Sequence, residues 1–306
     1  MSIYLYQIQY DDASRPSDTS DFKAFDVRDN PEFLKREMAH MIRFYDDIVS
    51  KGSDDDYYGL FSPKFNEKSG LSSAEVISFV KKNLEADVCL FNPFPMTIYK
   101  NLNVWRQGEA NHPDLIRLAN QMFNKAGFDF DAAGFHRNSL ANTVYCNYWV
   151  AKKTFFDGFI LFVKKMDHAI NDMPEHMRAE YFCDAKYITK ACYYPFLFER
   201  LLSTFLISDL GINYTSEPYV YQAEPTGARL GKVEKAFFQH DGMSKFNQWE
   251  LQAPSVDEVA KKVELLRAFL NPKLTEGLAL PIAIFFRSLI KSLNCIRMVY
   301  FLNKQF

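Results

Sequence analysis

Two sets of side chains in this sequence have the types and spacing to handle a charged leaving group. Asp54-Asp55-Asp56 and Asp129-Phe130-Asp131 form D-x-D patterns, and carboxylates so spaced can hold Mg or Mn against a diphosphate. The first precedes an expected strand and the second follows a helix, whereas ligands of open α/β sheets sit at the carboxyl ends of strands. Both also read as solvated turns. The loop after the expected strand 87–91 offers Asn92 instead of a carboxylate. A divalent metal is therefore left open, without a convincing ligand pair. Cations are the alternative. Arg28 follows one expected strand, Lys64 and Lys68 follow another, and a parallel sheet would bring all three to one edge. Read singly, they are ordinary surface charges.

The stretch Tyr193-Tyr-Pro-Phe-Leu-Phe-Glu199-Arg200-Leu-Leu carries a different chemistry. Charges inside an apolar helical run are costly unless paired or used. Glu199 in a partly dry pocket fits a general base for a sugar hydroxyl; the structural alternative is an ion pair with Arg200. Other signatures are missing. There is no glycine-rich phosphate loop, no G-x-S-x-G and no H-E-x-x-H. The six histidines never fall four apart, which argues against a catalytic zinc held by a helix. Five scattered cysteines lack C-x-x-C spacing and read as reduced thiols of a cytoplasmic protein.

Strands and helices must alternate to place these groups. Residues 3–9, 22–27, 57–61 and 87–91 read as strands, the last two as buried ones. Asn30-Pro31 marks a helix start, with a helix running to about Ser50. Ser72 with Glu75 fits a capping box for a helix to about Leu84. The pattern predicts an α/β sheet, largely parallel in its first part. Beyond it, helices are expected over 113–125, 154–170, 196–207 and 257–270, with a strand over 143–150.

With 36 Lys+Arg against 38 Asp+Glu, the formal net charge of the 306 residues is -2, which argues against a nucleic-acid partner. Aromatic residues make up 16% of the chain. Phe155, Phe159 and Phe162 fall at helical spacing and read as core. Tyr10, Phe94, Trp105 and Trp149 lie near strand ends and are candidates for stacking on a base or sugar. No stretch has the ~18 uninterrupted apolar residues of a spanning helix. From Gly277 to Phe306, however, there are basic residues (Arg287, Lys291, Arg297, Lys304) and no acidic ones. Such a segment suits an anionic membrane surface, or a terminal helix with its basic side in water. Composition divides the chain into an α/β unit, 1–225, and a helical C-terminal extension, 226–306.

The order of segments resembles GT-A-like glycosyltransferases of bacterial capsule and lipopolysaccharide synthesis. The resemblance spans roughly residues 3–220. It is carried by Tyr57-Tyr-Gly-Leu-Phe-Ser62 with Lys64 and Lys68, by Asn147-Tyr-Trp-Val-Ala-Lys152 before Phe155-Phe156, and by Phe196-Leu-Phe-Glu199-Arg200-Leu-Leu202. It implies a Rossmann-like mixed sheet flanked by helices, a nucleotide-sugar donor, and a glycan or lipid-linked glycan acceptor. It further implies that Glu199 deprotonates the acceptor, and that Arg28, Lys64 and Lys68 neutralise the diphosphate. Asn92, Asn147 and Arg200 would contact the substrates, at the inner face of the membrane. The D-x-D expected after a strand end is missing here. A non-catalytic glycan-binding or scaffolding subunit is the alternative.

Overall fold

The chain opens on β1 (Ile3–Gln9), followed after a polar loop by β2 (Lys23–Asp26). Next come α1 (Glu37–Asp47), β3 (Tyr57–Phe61), α2 (Phe65–Ser69), α3 (Ser73–Lys82) and β4 (Val88–Leu90). Helices α4 (Thr97–Lys100), α5 (Val104–Asn111) and α6 (Leu115–Lys125) precede β5 (Trp149–Lys152). They are followed by α7 (Lys153–Asn171), α8 (Glu175–Tyr181), α9 (Tyr193–Glu199), α10 (Leu201–Ser208) and β6 (Tyr214–Ser216). Last come α11 (Lys232–Gln239), α12 (Gly242–Glu250), α13 (Val256–Leu270) and α14 over residues 293–304. This is a computed structural model, and the residues it describes are 1–17, 20–134, 136–185, 191–208, 214–216, 230–252, 254–270 and 293–304.

The strands form one open mixed sheet in the order β2-β1-β3-β5-β4-β6, flanked by helices. β1 is parallel to both β2 and β3, as the alternating pattern implies, and β4 is parallel to β6. β5 runs against both of its neighbours, β3 and β4. The parallel strands therefore end at one edge of the sheet, and the reversed β5 begins at that same edge. All five residues of β3 are buried, as expected of a strand covered on both faces. Gly59 is needed there: a Cβ would lie 2.8 Å from both the Phe61 ring and a Val150 methyl.

Several helices begin where local chemistry places them. Ser72 caps α3, its N–H donating to Glu75 Oε2 at 2.7 Å while its hydroxyl accepts from the Glu75 N–H. In three places the structure departs from the expected boundaries. The helix expected from Pro31 starts only at Glu37, because Asn30 and Arg36 adopt left-handed φ of 24° and 51° and residues 31–36 form turns. Leu34 is exposed in these turns, and Lys35 reaches across to Asp167 of α7. The strand expected from Thr143 starts at Trp149, since Cys146 and Asn147 take φ of 62° and 52°, which no strand accommodates. Finally, the run 196–207 is divided between α9 and α10 at Arg200.

The aromatic excess fills the core. Phe61 and Phe65 ring centroids lie 4.4 Å apart, and Phe65 meets Tyr148 edge-on at 4.9 Å. α7 packs Phe155, Phe156 and Phe159 around Trp149. Trp105 and Trp149 are fully buried, so both are core residues with no ring face left to stack on a ligand. A second apolar cluster joins α11 to α14, with Phe237, Phe246 and Leu266 packed around Ile98 and Tyr99 of α4. Within it Tyr99 donates to Asn247, and Arg137 of the loop after α6 pairs with Glu250 of α12. The expected boundary near residue 225 lies outside the described residues, as do Arg287 and Lys291 and the apolar run around them.

Candidate functional site

Three strand ends converge on a cavity of about 430 Å³ at the carboxyl edge of the sheet. After β3, a short turn leads into α2, whose buried Phe65 anchors the helix and leaves Lys68 on the cavity wall. After β4, the loop into α4 contributes Phe94 and Thr97. The flank of the reversed β5 contributes Tyr145, Cys146 and Asn147. Ser62, next after β3, shares a 2.7 Å hydrogen bond with the Tyr148 hydroxyl and so locks two of these segments together. Helices close the other sides: Glu37 begins α1, and Glu199 ends α9.

Charges inside this cavity are only partly matched. Glu199 Oε1 accepts from the Cys146 N–H at 2.8 Å, and its Oε2 lies 3.7 Å from the Arg200 guanidinium. The left-handed turn at Cys146 and Asn147 is what presents that N–H. Glu37 is half-buried, and among the described residues no donor hydrogen-bonds its carboxylate. Burial, and after it the charge of Glu199, raise its pKa to about 7, against the opposing pull of Lys68 and Arg36. Lys68 Nζ sits 3.3 Å from Cys146 Sγ. Burial opposes its charge, but Cys146, Glu37 and Glu199 outweigh that and hold the ammonium above its usual pKa. Burial, then Glu199, push the Cys146 thiol up to about 12, so it is a proton-bearing neighbour and not a nucleophile. Asn147 is 5% exposed, and its Oδ1 is buried without a hydrogen-bond donor among the described residues.

Arg200 has a different character. It is 2% exposed, donating from Nε to the Val104 carbonyl at 2.9 Å, from Nη2 to Gln107 at 2.6 Å and from Nη1 to the Phe196 carbonyl. Gly108 makes room for it, since a Cβ there would lie 2.5 Å from Arg200 Nε. Its donors join α5 to α9, so Arg200 acts as the scaffold of the cavity as much as part of its lining. His112 stacks on Phe196 at 3.8 Å between centroids, and burial keeps its pKa below the usual imidazole value.

Of the residues singled out from the sequence, Lys68, Asn147, Glu199 and Arg200 meet in this cavity. Arg28, Lys64 and Asn92 do not line it. Arg28 is half-exposed and bound to Asp26 and Asp12 at 2.7 and 2.9 Å, so the expected convergence of three cations reduces to Lys68 alone. Lys64 points to solvent at the start of α2, and Asn92 Oδ1 accepts from the Phe94 N–H within its own loop. Both D-x-D patterns lie elsewhere. Asp54 pairs with Lys153, and Asp131 caps its own turn through the Ala133 N–H. Among the described residues no three His, Cys, Asp or Glu gather as a metal-ligand set. Tyr10 remains partly exposed at the end of β1, and Phe94 alone of the four stacking candidates faces the cavity.

Glu37 was hidden in the sequence. Within Lys35-Arg36-Glu37 it reads as part of a solvated helix face, and only the displaced start of α1 brings it to the cavity. No family model matches this chain, and no curated protein or solved structure matches it. Among the described residues no helix is long and apolar enough to cross a membrane.

Proposed function

We propose that the chain is a nucleotide-sugar-dependent glycosyltransferase with a GT-A-like fold, acting on a glycan acceptor of surface polysaccharide synthesis. The observation that carries this reading is the meeting of Glu199, Lys68 and Asn147 in one cavity at the carboxyl edge of a mixed open sheet. That edge is where open α/β sheets bind their ligands. Lys68 supplies positive charge for the leaving diphosphate, which is stabilised most where water is excluded. Glu199 takes the proton of the attacking hydroxyl, and Asn147 offers its free acceptor to a sugar hydroxyl. Among the described residues no three His, Cys, Asp or Glu gather as a ligand set for a divalent metal, and Lys68 takes the part of the cation. A peripheral contact with the membrane that holds the acceptor belongs to the same proposal. It is supported by α14, where Leu293, Ile296 and Tyr300 are exposed beside Arg297 and Lys304.

The test is a thermal-shift panel of nucleotides and nucleotide sugars, followed by sugar transfer with the one that stabilises the protein. Stabilisation by a single nucleotide is the expected result. A response to oligosaccharides alone would replace the transferase with the alternative, a non-catalytic glycan-binding or scaffolding subunit.

A further inference from the structure

The cavity holds a second carboxylate that the transfer described above leaves idle. Glu37 and Glu199 enter it from different helices, α1 and α9, and Lys68 interacts with both. Arg36, with its left-handed φ of 51°, breaks the preceding turns so that α1 begins with Glu37 at the cavity wall. Such a backbone conformation persists only where surrounding structure enforces it. The groups that act on Glu37 come from every side: Glu199 from α9, Lys68 from α2, Tyr10 beyond β1, Cys146 and Tyr148 from the flank of β5, and Arg36 beside it. Lys68 and Arg36 do not offset its burial and the charge of Glu199.

A second observation points to the ligand. Asn147 Oδ1 is a buried acceptor without a donor among the described residues, on the same wall as the Cys146 N–H that holds Glu199. Buried acceptors left unpaired are rare, and each calls for a partner. A polyhydroxylated molecule such as a sugar can donate hydrogen bonds to Asn147 and to a carboxylate at once.

We propose that Glu37 is a second catalytic carboxylate, the acid that complements Glu199 in sugar transfer to a hydroxyl-rich acceptor held by Asn147. The inference rests on the transferase reading and deepens it. In the step, the acceptor O–H bond breaks and its proton passes to Glu199. The freed oxygen pair forms the new bond to the anomeric carbon. The bond from that carbon to the diphosphate oxygen breaks with its electron pair, and Glu37 delivers its proton to that oxygen. Glu199 then returns its proton to Glu37 across the cavity, and both groups are restored. This division follows the general rule that two carboxylates in one site take opposite proton states.

The experiment compares full-length wild type, Glu37→Gln and Glu37→Asp in sugar transfer from the nucleotide sugar that stabilises the wild type, across pH 5 to 9. Wild-type turnover is expected to fall as pH rises through about 7, where Glu37 loses its proton. Glu37→Gln should lower kcat by at least about 100-fold, a typical contribution of a positioned acid, and abolish that alkaline decline. Its thermal shift with the nucleotide should persist, and Glu37→Asp should recover part of the rate. Near-normal turnover of Glu37→Gln, or a decline unchanged in that variant, overturns the role of Glu37 and leaves the transferase reading standing. Wild type that binds oligosaccharide but transfers no sugar overturns the transferase reading and this role with it.

Discussion

Two charged clusters at the carboxyl edge of the sheet use the same residue types to opposite effect. At the end of β2, Arg28 is held between Asp26 and Asp12, and its side-chain hydrogen bonds hold the Asp26 carboxyl down at about 2. Every charge there has a partner and open water around it. Among the described residues, in the cavity between α1, α2 and α9, Glu37 lacks a hydrogen-bond donor, Glu199 is held by a backbone N–H and a distant guanidinium, and Asn147 Oδ1 has no donor. Proximity of opposite charges therefore does not identify a site. Several incompletely satisfied groups lining one cavity are the better sign, because a ligand that enters it can complete them together.

The contrast breaks most visibly on Glu199. Glu199→Gln keeps the shape and the hydrogen bond from Cys146 but cannot accept a proton, so sugar transfer should fall about 10²- to 10⁴-fold with an unchanged circular dichroism spectrum. The scaffold comes next. Arg200→Met strands the Val104 and Phe196 carbonyls, and urea unfolding should report a loss of about 3 kcal/mol.

Glu37 gives the third test, and its sign is the reverse of the usual carboxylate. Its folded pKa of about 7 stands above the ordinary 4.5, so the folded chain keeps a proton that the unfolded chain has released. The stability this group contributes is fully present below about pH 4.5 and is lost as pH rises through about 7. Glu37→Gln should match the wild type at pH 4.5 and exceed it at pH 8 by on the order of 2 kcal/mol in denaturant unfolding. The smallest effects separate the two clusters directly. Lys68→Met should weaken nucleotide-diphosphate binding about 10-fold in titration calorimetry, the weight of one partly buried charge-assisted hydrogen bond. Arg28→Ala should leave both that affinity and the melting temperature unchanged, since surface pairs contribute little.

Much of the fold was readable because its signals are local. The continuous apolar runs of β3 and β4, the Ser72–Glu75 box and the phenylalanine spacing of α7 each state their element within a few residues. Glu199 and Arg200 stood out as charges set in an apolar run. The remainder depends on tertiary contacts that override local preference. Pro31 and Asn30 look like a helix start, yet the left-handed Arg36 and the pairing of Lys35 with Asp167 delay α1 by half a dozen residues and so deliver Glu37. Cys146 and Asn147 look extended and are not, which shortens β5 and turns a backbone N–H toward Glu199. Arg28 misled because Asp26, two residues before it, and Asp12 in the preceding loop already bind it, contacts that strand periodicity does not foretell.

The reversed strand has a consequence for how the chain is made. β5 hydrogen-bonds to β3 on one side and β4 on the other, although it follows both in sequence. Until Trp149–Lys152 leave the ribosome, β3 and β4 have no common neighbour, and each presents a bare apolar edge. Such edges invite pairing with other chains. A nascent chain stopped before residue 149 should aggregate; adding Trp149–Lys152 joins β3 to β4, and only β6, Tyr214–Ser216, covers the remaining side of β4, so the sticky interval of synthesis runs from β3 to residue 216.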